Sequence, residues 1–256
     1  MERRAVFGRL TTKRPIEWQI ATVKALRSET SEVKTLTLTL PDWMPHRPGQ
    51  HYDVRLTAAD GYAAQRSYSV ASEPERTGEI DISVERIADG EVSPYLDDTV
   101  LVGDRFEVRG PIGGYFVWDR SIGGPLLLVA GGSGVVPLMA MLRHRAAAGV
   151  RNHARLLYSA RTSEQIIYAK ELETLAGKDG LTVSYTLTRS QPAGWKDYSR
   201  RIDDAMLKEV SAPLGSEALA YVCGPTALVE VAADGLGRAG LRPERIRTER
   251  FGPSGG

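Results

Sequence analysis

Apolar and polar residues alternate with a period of two through the first half of the chain, over residues 18–26, 33–40, 51–57, 66–71, 79–87 and 105–109. Alternation sends successive side chains to opposite faces, so each stretch reads as a strand with one buried face. Proline and glycine punctuate them at Pro41, Pro45, Pro48-Gly49, Asp60-Gly61, Pro74 and Gly78. One helical turn, at residues 93–96, is expected among them. Short strands with so little helix predict an antiparallel six-stranded β-barrel over residues 16–120.

The rhythm changes near Ser121-Ile122-Gly123-Gly124-Pro125. Beyond it, strands at 126–130, 155–159, 181–187, 219–223 and 245–251 alternate with helices at 135–148, 163–175, 203–210 and 226–239. The run Leu126-Leu127-Leu128-Val129-Ala130 is apolar at every position, as a strand covered on both faces requires. Strand–helix alternation predicts a doubly wound α/β parallel sheet over residues 124–256. The expected architecture is therefore two-domain.

Composition removes several function classes. The hydrophobic share is 42% and the charged share 25%, as in an ordinary globular protein. The 33 basic and 32 acidic residues nearly cancel, which argues against a nucleic-acid partner held by bulk charge. A lone cysteine, Cys223, allows no intrachain disulfide and no cysteine-ligated zinc or iron–sulfur cluster. His46, His51, His144 and His153 show no metal-binding spacing, so no metal site is expected. No apolar run reaches the roughly 18 residues of a membrane span. The N-terminus, with Arg3, Arg4, Arg9, Lys13 and Arg14, lacks the apolar stretch of a signal peptide and reads as a solvated basic arm. Together these features predict a cytoplasmic protein without membrane contact.

Candidate chemistry starts where the strand at 126–130 runs into Gly131-Gly132-Ser133-Gly134-Val135-Val136-Pro137. Glycines at such a turn let the backbone approach a pyrophosphate, and the helix that follows offers free N–H groups. Pro137 is tolerated there because its missing N–H has no partner early in a helix. An acidic residue about 20 residues further on usually holds the adenosine ribose. Here Ser159 and Arg161 occupy that place, which suits a 2′-phosphate or the adenosine face. Arg189, Lys196 and Tyr198 add further donors, and NADPH and NADH both stay open. In the first half, Arg66-Ser67-Tyr68-Ser69 sets Arg66 and Tyr68 on one face of a strand and Ser67 and Ser69 on the other.

These segments belong to an ordered series. Arg66-Ser67-Tyr68-Ser69 is followed by Gly90-Glu91-Val92-Ser93, Gly110-Pro111-Ile112-Gly113, the glycine turn at 131–137, Cys223-Gly224-Pro225 and Glu249-Arg250-Phe251. The series, spanning about residues 16–251, resembles the ferredoxin–NADP(+) reductase superfamily, and within it the short flavin reductases akin to reductase components of aromatic-ring oxygenases. The resemblance implies an FAD-dependent NAD(P)H oxidoreductase, with NADPH or NADH as donor and FMN as the alternative flavin. Electrons would pass to a separate iron–sulfur or haem protein, such as a ferredoxin or an oxygenase component, or to a small acceptor.

The resemblance also implies residue roles. Arg66 would bind the flavin pyrophosphate, with Ser67 beside it, and Tyr68 would pack on the flavin ring. Ser69 would lie near the ring nitrogen N5. Gly90, Val92 and Ser93 would hold pyrophosphate oxygens, a second phosphate site that favours FAD over FMN. Cys223, with Gly224 and Pro225, would face the nicotinamide. Glu249 would bond near Cys223 and Ser69, and Phe251 would cover the flavin. Ser69, Cys223 and Glu249 form the implied catalytic set, although Cys223 also suits a buried strand position and Phe251 a core position. Five residues follow Phe251 where many relatives end, which loosens its reading as a terminal lid. The iron–sulfur domain of many oxygenase reductases has no counterpart in this sequence, hence the separate acceptor. A reductase of diffusible flavin and a flavin- and nucleotide-binding regulatory subunit are the alternatives. Intact Ser69, Cys223 and Glu249 argue against the second.

Overall fold

The alternating stretches fold as β1 (Trp18–Ser28), β2 (Val33–Thr39), β3 (His51–Thr57), β4 (Ala63–Ser69), β5 (Glu79–Glu85) and β6 (Arg105–Ile112) in a computed structural model that describes residues 15–252. The basic run from Arg3 to Arg14, and residues 253–256, lie outside the described residues. The six strands form one antiparallel sheet in the order β4-β3-β6-β1-β2-β5. A bridge between Val70 and Ile82, with Ala71 N–H bonded to Asp81 O at 2.8 Å, joins its two edges just past β4. Inward-facing Leu36, Leu38, Val54, Ile80, Ile82, Val84 and Val108 fill the core between them. β5 is buried on both faces, because its outer residue Ser83 meets Tyr168 of the second half of the chain and Asp81 is closed in by Thr37 and Arg76.

That second half contains β7 (Leu126–Gly131), α1 (Val135–Ala147), β8 (Ala154–Ala160), α2 (Ala169–Leu175), β9 (Leu181–Leu187), α3 (Asp204–Ser211), β10 (Leu219–Pro225), α4 (Thr226–Arg238) and β11 (Ile246–Phe251). Its five strands are parallel, in the order β11-β10-β7-β8-β9. Successive residues of β7 explain the double winding. Leu126, Leu128 and Ala130 pack against α1 and α2, whereas Leu127 and Val129 pack against α3 and α4. Asp203 caps α3 by accepting from Met206 N–H at 2.8 Å. No helix among the described residues is long and apolar enough to cross a membrane.

Three elements depart from the sequence reading. The strand expected at 66–71 is shifted to Ala63–Ser69, because the turn closed by Ala58 N–H on Tyr62 O extends the hairpin backward. Val70 and Ala71 instead turn toward Gln50 and Asp81. The helical turn expected at 93–96 runs on as a wide π-helical turn over Tyr95–Thr99. The helix expected at 163–175 is a tight turn over Ser163–Gln165 and then α2, broken by Tyr168 in the left-handed region at φ 60°. Tyr168 leaves the helix because its ring is buried and its hydroxyl meets Ser83 of β5.

Candidate functional site

β4 is an edge of its sheet, and its register on β3 aims its side chains. Ser67 lies opposite Asp53, Tyr68 opposite Tyr52 and Ser69 opposite His51. Ser67 Oγ donates to Asp53 Oδ1 at 2.7 Å, and Arg109 donates to Asp53 Oδ2 at 2.7 Å. Burial works against ionisation of Asp53, but the bonds from Arg109 and Ser67 outweigh it and hold the carboxyl below its usual range. Tyr68 is half-buried against the core of the first sheet, and burial pushes its phenol up to about 12. Arg66 is exposed. Its guanidinium donates to Gln65 O at 2.7 Å and to Glu91 Oε2 at 3.2 Å.

The segment 90–93 closes beside Arg66. Gly90 N–H bonds Ile87 O at 2.9 Å, and Ser93 Oγ accepts from Ile87 N–H at 3.1 Å. Val92 is buried beneath, and its carbonyl accepts from Leu96 N–H at 3.0 Å to start the short helix. This brings Arg66, Ser67, Tyr68, Ser69, Gly90, Val92 and Ser93 to one wall of a cleft of about 570 Å³.

The opposite wall comes from the carboxyl ends of the parallel strands. Gly132 turns the chain with φ 54°, and Gly134 lies so close to β10 that a side chain there would overlap the Cys223 carbonyl. Ser133, Arg161, Pro225 and Phe251 line this wall, and all four also border a neighbouring cleft of about 200 Å³ with Gly131, Gly132 and Ser159. Phe251 stands beside Pro225 through the pairing of β10 with β11. The same register places Glu249 beside Cys223. Burial, then the nearby Glu249 carboxylate, hold the Cys223 thiol well above its usual range. Glu249 Oε2 is buried with no partner, and burial pushes this carboxyl up to about 7. The bond expected from Glu249 toward Ser69 is therefore not made by Oε2.

Several expected residues stand back from the clefts. Cys223, Gly224 and Gly134 are buried and line neither cleft, Glu249 is half-buried and lines neither, and Pro137 is buried in α1. Arg189 is exposed and borders neither cleft, although its N–H bonds Arg161 O at 2.9 Å and so ties the two strand ends together. Lys196 is exposed as well. Tyr198 folds back along β9, with Leu187 N–H on its carbonyl, and its ring packs toward α3 and α4 under Arg200. Sequence reasoning passed over Glu85, Ile87 and Glu91, which line the larger cleft, and Glu32 and Gln165, which line the smaller. Only Glu91 carried a signal, since it lies inside the segment 90–93. A third cleft, about 560 Å³, lies beyond Glu91 among Tyr62, Tyr95 and Phe106.

The donor set of the larger cleft fits a flavin nucleotide. Arg66 offers an accessible guanidinium for phosphate, the turn at 90–93 approaches it with a glycine, and Tyr68 and Phe251 supply aromatic surface. The smaller cleft opens at a glycine turn that leads into α1, where a second nucleotide's phosphates find free N–H groups.

Comparison with known proteins assigns a family to each half of the chain. Residues 21–117 match the family model of an oxidoreductase FAD-binding domain, and residues 128–234 that of an oxidoreductase NAD-binding domain. The chain is 33% identical over 196 residues to ferredoxin–NADP reductase B of Sorangium cellulosum, covering 75% of this chain and 80% of that protein. It is 30% identical over 246 residues to the ferredoxin reductase component of 3-ketosteroid-9-alpha-monooxygenase of Mycolicibacterium smegmatis, covering 92% of this chain. The chain spans only 65% of that relative's length. The fold is that of the FAD/NAD-binding domain of nitric oxide dioxygenase from Vibrio cholerae, with a TM-score of 0.79 at 24% identity over 91% of this chain and 98% of that one.

Proposed function

The chain belongs to the ferredoxin–NADP(+) reductase superfamily, and from that premise we propose that it draws electrons from NADPH or NADH through FAD bound along β4 and passes them to a separate redox partner. The observation that carries this reading is the meeting of β4 and the segment 90–93 with the ends of β7, β8, β10 and β11 around one cleft. A bound flavin supplies what the side chains lack, the capacity to accept an electron pair from a nicotinamide and return electrons one at a time.

In this reading Arg66 and the segment 90–93 hold the pyrophosphate, while Tyr68 and Ser69 orient the ring. The glycine turn and Arg161 hold the nicotinamide nucleotide, and Pro225 and Phe251 shape the place where the two rings approach. Cys223 stays a neutral thiol at physiological pH and keeps the end of β10 small. Glu249, with a carboxyl near 7, can hold or release a proton just behind that point. In this reading the partner is an iron–sulfur protein, which the ferredoxin in the names of its relatives supports, or a haem protein, and the NAD(P)H it consumes is that of the cytoplasm. The exposure of Arg66 favours a second reading, in which the flavin itself dissociates as a product.

The test is flavin uptake. The purified chain should bind FAD, and Arg66→Ala should weaken binding by about 30-fold or more, since a charge-assisted phosphate contact contributes ~2–3 kcal/mol. The loaded protein should oxidise NADPH or NADH with ferricyanide as acceptor. A folded protein that takes up neither FAD nor FMN refutes the proposal.

A further inference from the structure

We propose that Glu91 is an affinity-determining residue of the flavin site, a carboxylate that stands on Arg66 where a phosphate must go and is displaced as the flavin binds. The inference rests on the assignment of the flavin pyrophosphate to Arg66. Glu91 is held from two sides. Its Oε2 accepts from Arg66 at 3.2 Å, and its Oε1 accepts from the Tyr62 hydroxyl at 2.7 Å. Tyr62 belongs to the turn that feeds β4, so the carboxylate clamps that hairpin to the segment 90–93. It thereby occupies one nitrogen of the one guanidinium that β4 presents to the cleft, while the side chain itself stays exposed.

The clamp is built to yield. The Arg66 and Glu91 side chains are 53% and 50% exposed, so their attraction is weak and screened by salt. A pyrophosphate brings more charge and more acceptor oxygens to the same guanidinium, and so prevails. Glu91 borders both the flavin cleft and the cleft beyond it, so the released side chain has open space to turn into. It stays tethered by Gly90 and Val92, however, and its negative charge remains close to the phosphates. Glu91 therefore lowers flavin affinity without forbidding binding, which suits a flavin that is exchanged.

The experiment is an FAD titration of the flavin-free full chain by fluorescence quenching, for wild type, Glu91→Gln and Glu91→Ala. Both variants should bind FAD about 2- to 5-fold more tightly at about 50 mM salt, and the gap should narrow at about 500 mM, where exposed charges are screened. Release of FAD from the loaded protein should slow accordingly. Unchanged or weaker binding in Glu91→Gln overturns the proposal, even if wild type binds FAD well. So does a gain seen in Glu91→Ala alone, because volume rather than charge is then responsible. Absence of FAD binding in all three proteins refutes the flavin site itself, and this inference with it.

Discussion

Glu249 is the residue whose environment has the clearest measurable consequence. An unfolded glutamate ionises near ~4.3, and in the folded chain burial raises this carboxyl to about 7. Between those values the native state holds more proton than the unfolded state, so this group's effect on stability is least adverse at low pH. Its contribution worsens as pH rises toward about 7 and is level above that. The ceiling is roughly 3–4 kcal/mol, from the size of the shift. Glu249→Gln should therefore gain stability over wild type as pH rises, which urea unfolding at pH 5, 6, 7 and 8 will show. A constant difference across that range places the carboxyl in water. The residue scale also shows where reading the chain sufficed. The strand that carries Arg66 and Ser69 was legible from its alternation, whereas their roles came only from the resemblance, because a polar tetrad on a strand means little by itself. The pairing of Glu249 with Cys223 was legible only through resemblance, since 26 positions of chain separate them and nothing local joins them.

Elements set the next level, above all the seam between the glycine turn and β10. Gly134 has an ordinary helical φ of −60°, so its need for glycine is purely steric, against the Cys223 carbonyl. Gly134→Ala should cost about 1–3 kcal/mol as an overpacked contact and weaken coenzyme binding by opening the turn. Gly132 is the converse, with φ 54° and nothing within 4 Å of an added Cβ. Gly132→Ala should cost only about 1–2 kcal/mol of left-handed strain and leave the seam intact. Thermal unfolding and coenzyme titration of both variants check the contrast. The ends of β8 and β9 carry the coenzyme prediction. Arg161 borders both clefts and Arg189 neither, though one backbone bond links them. Arg161→Ala should thus lower kcat/KM for NADPH about tenfold or more relative to NADH, as the loss of a charge-assisted phosphate contact does. Arg189→Ala should change the ratio less. Equal ratios in wild type and both variants remove the phosphate reading.

At the scale of the molecule, the cleft exists only because the two sheets are held together, and Tyr168 is the visible tie. Its buried hydroxyl bonds Ser83 across the junction, and Arg143 lies over its ring at 4.8 Å. Arg143 also bonds Glu171 through two nitrogens, at 2.8 and 2.6 Å, and Ala71 O at 2.8 Å. Tyr168→Ala should cost about 3–5 kcal/mol, as other large-to-small aromatic deletions in cores do, and broaden or split the calorimetric transition. Tyr168→Phe should cost about 1–2 kcal/mol and leave one transition, because it removes only the hydroxyl. This junction marks the division between what the chain carries locally and what folding adds. Period-two alternation, the unbroken apolar run of β7 and the glycines before α1 determined the strands of both sheets and the tight turn after β7, because those preferences act between near neighbours. The break at Tyr168, the carboxylate of Glu91 on Arg66, the retreat of Tyr198 and the burial of Glu249 were decided by tertiary structure alone. Each depends on which distant backbone the sheet registers and the packed junction bring alongside, and a local pattern holds no information about that partner.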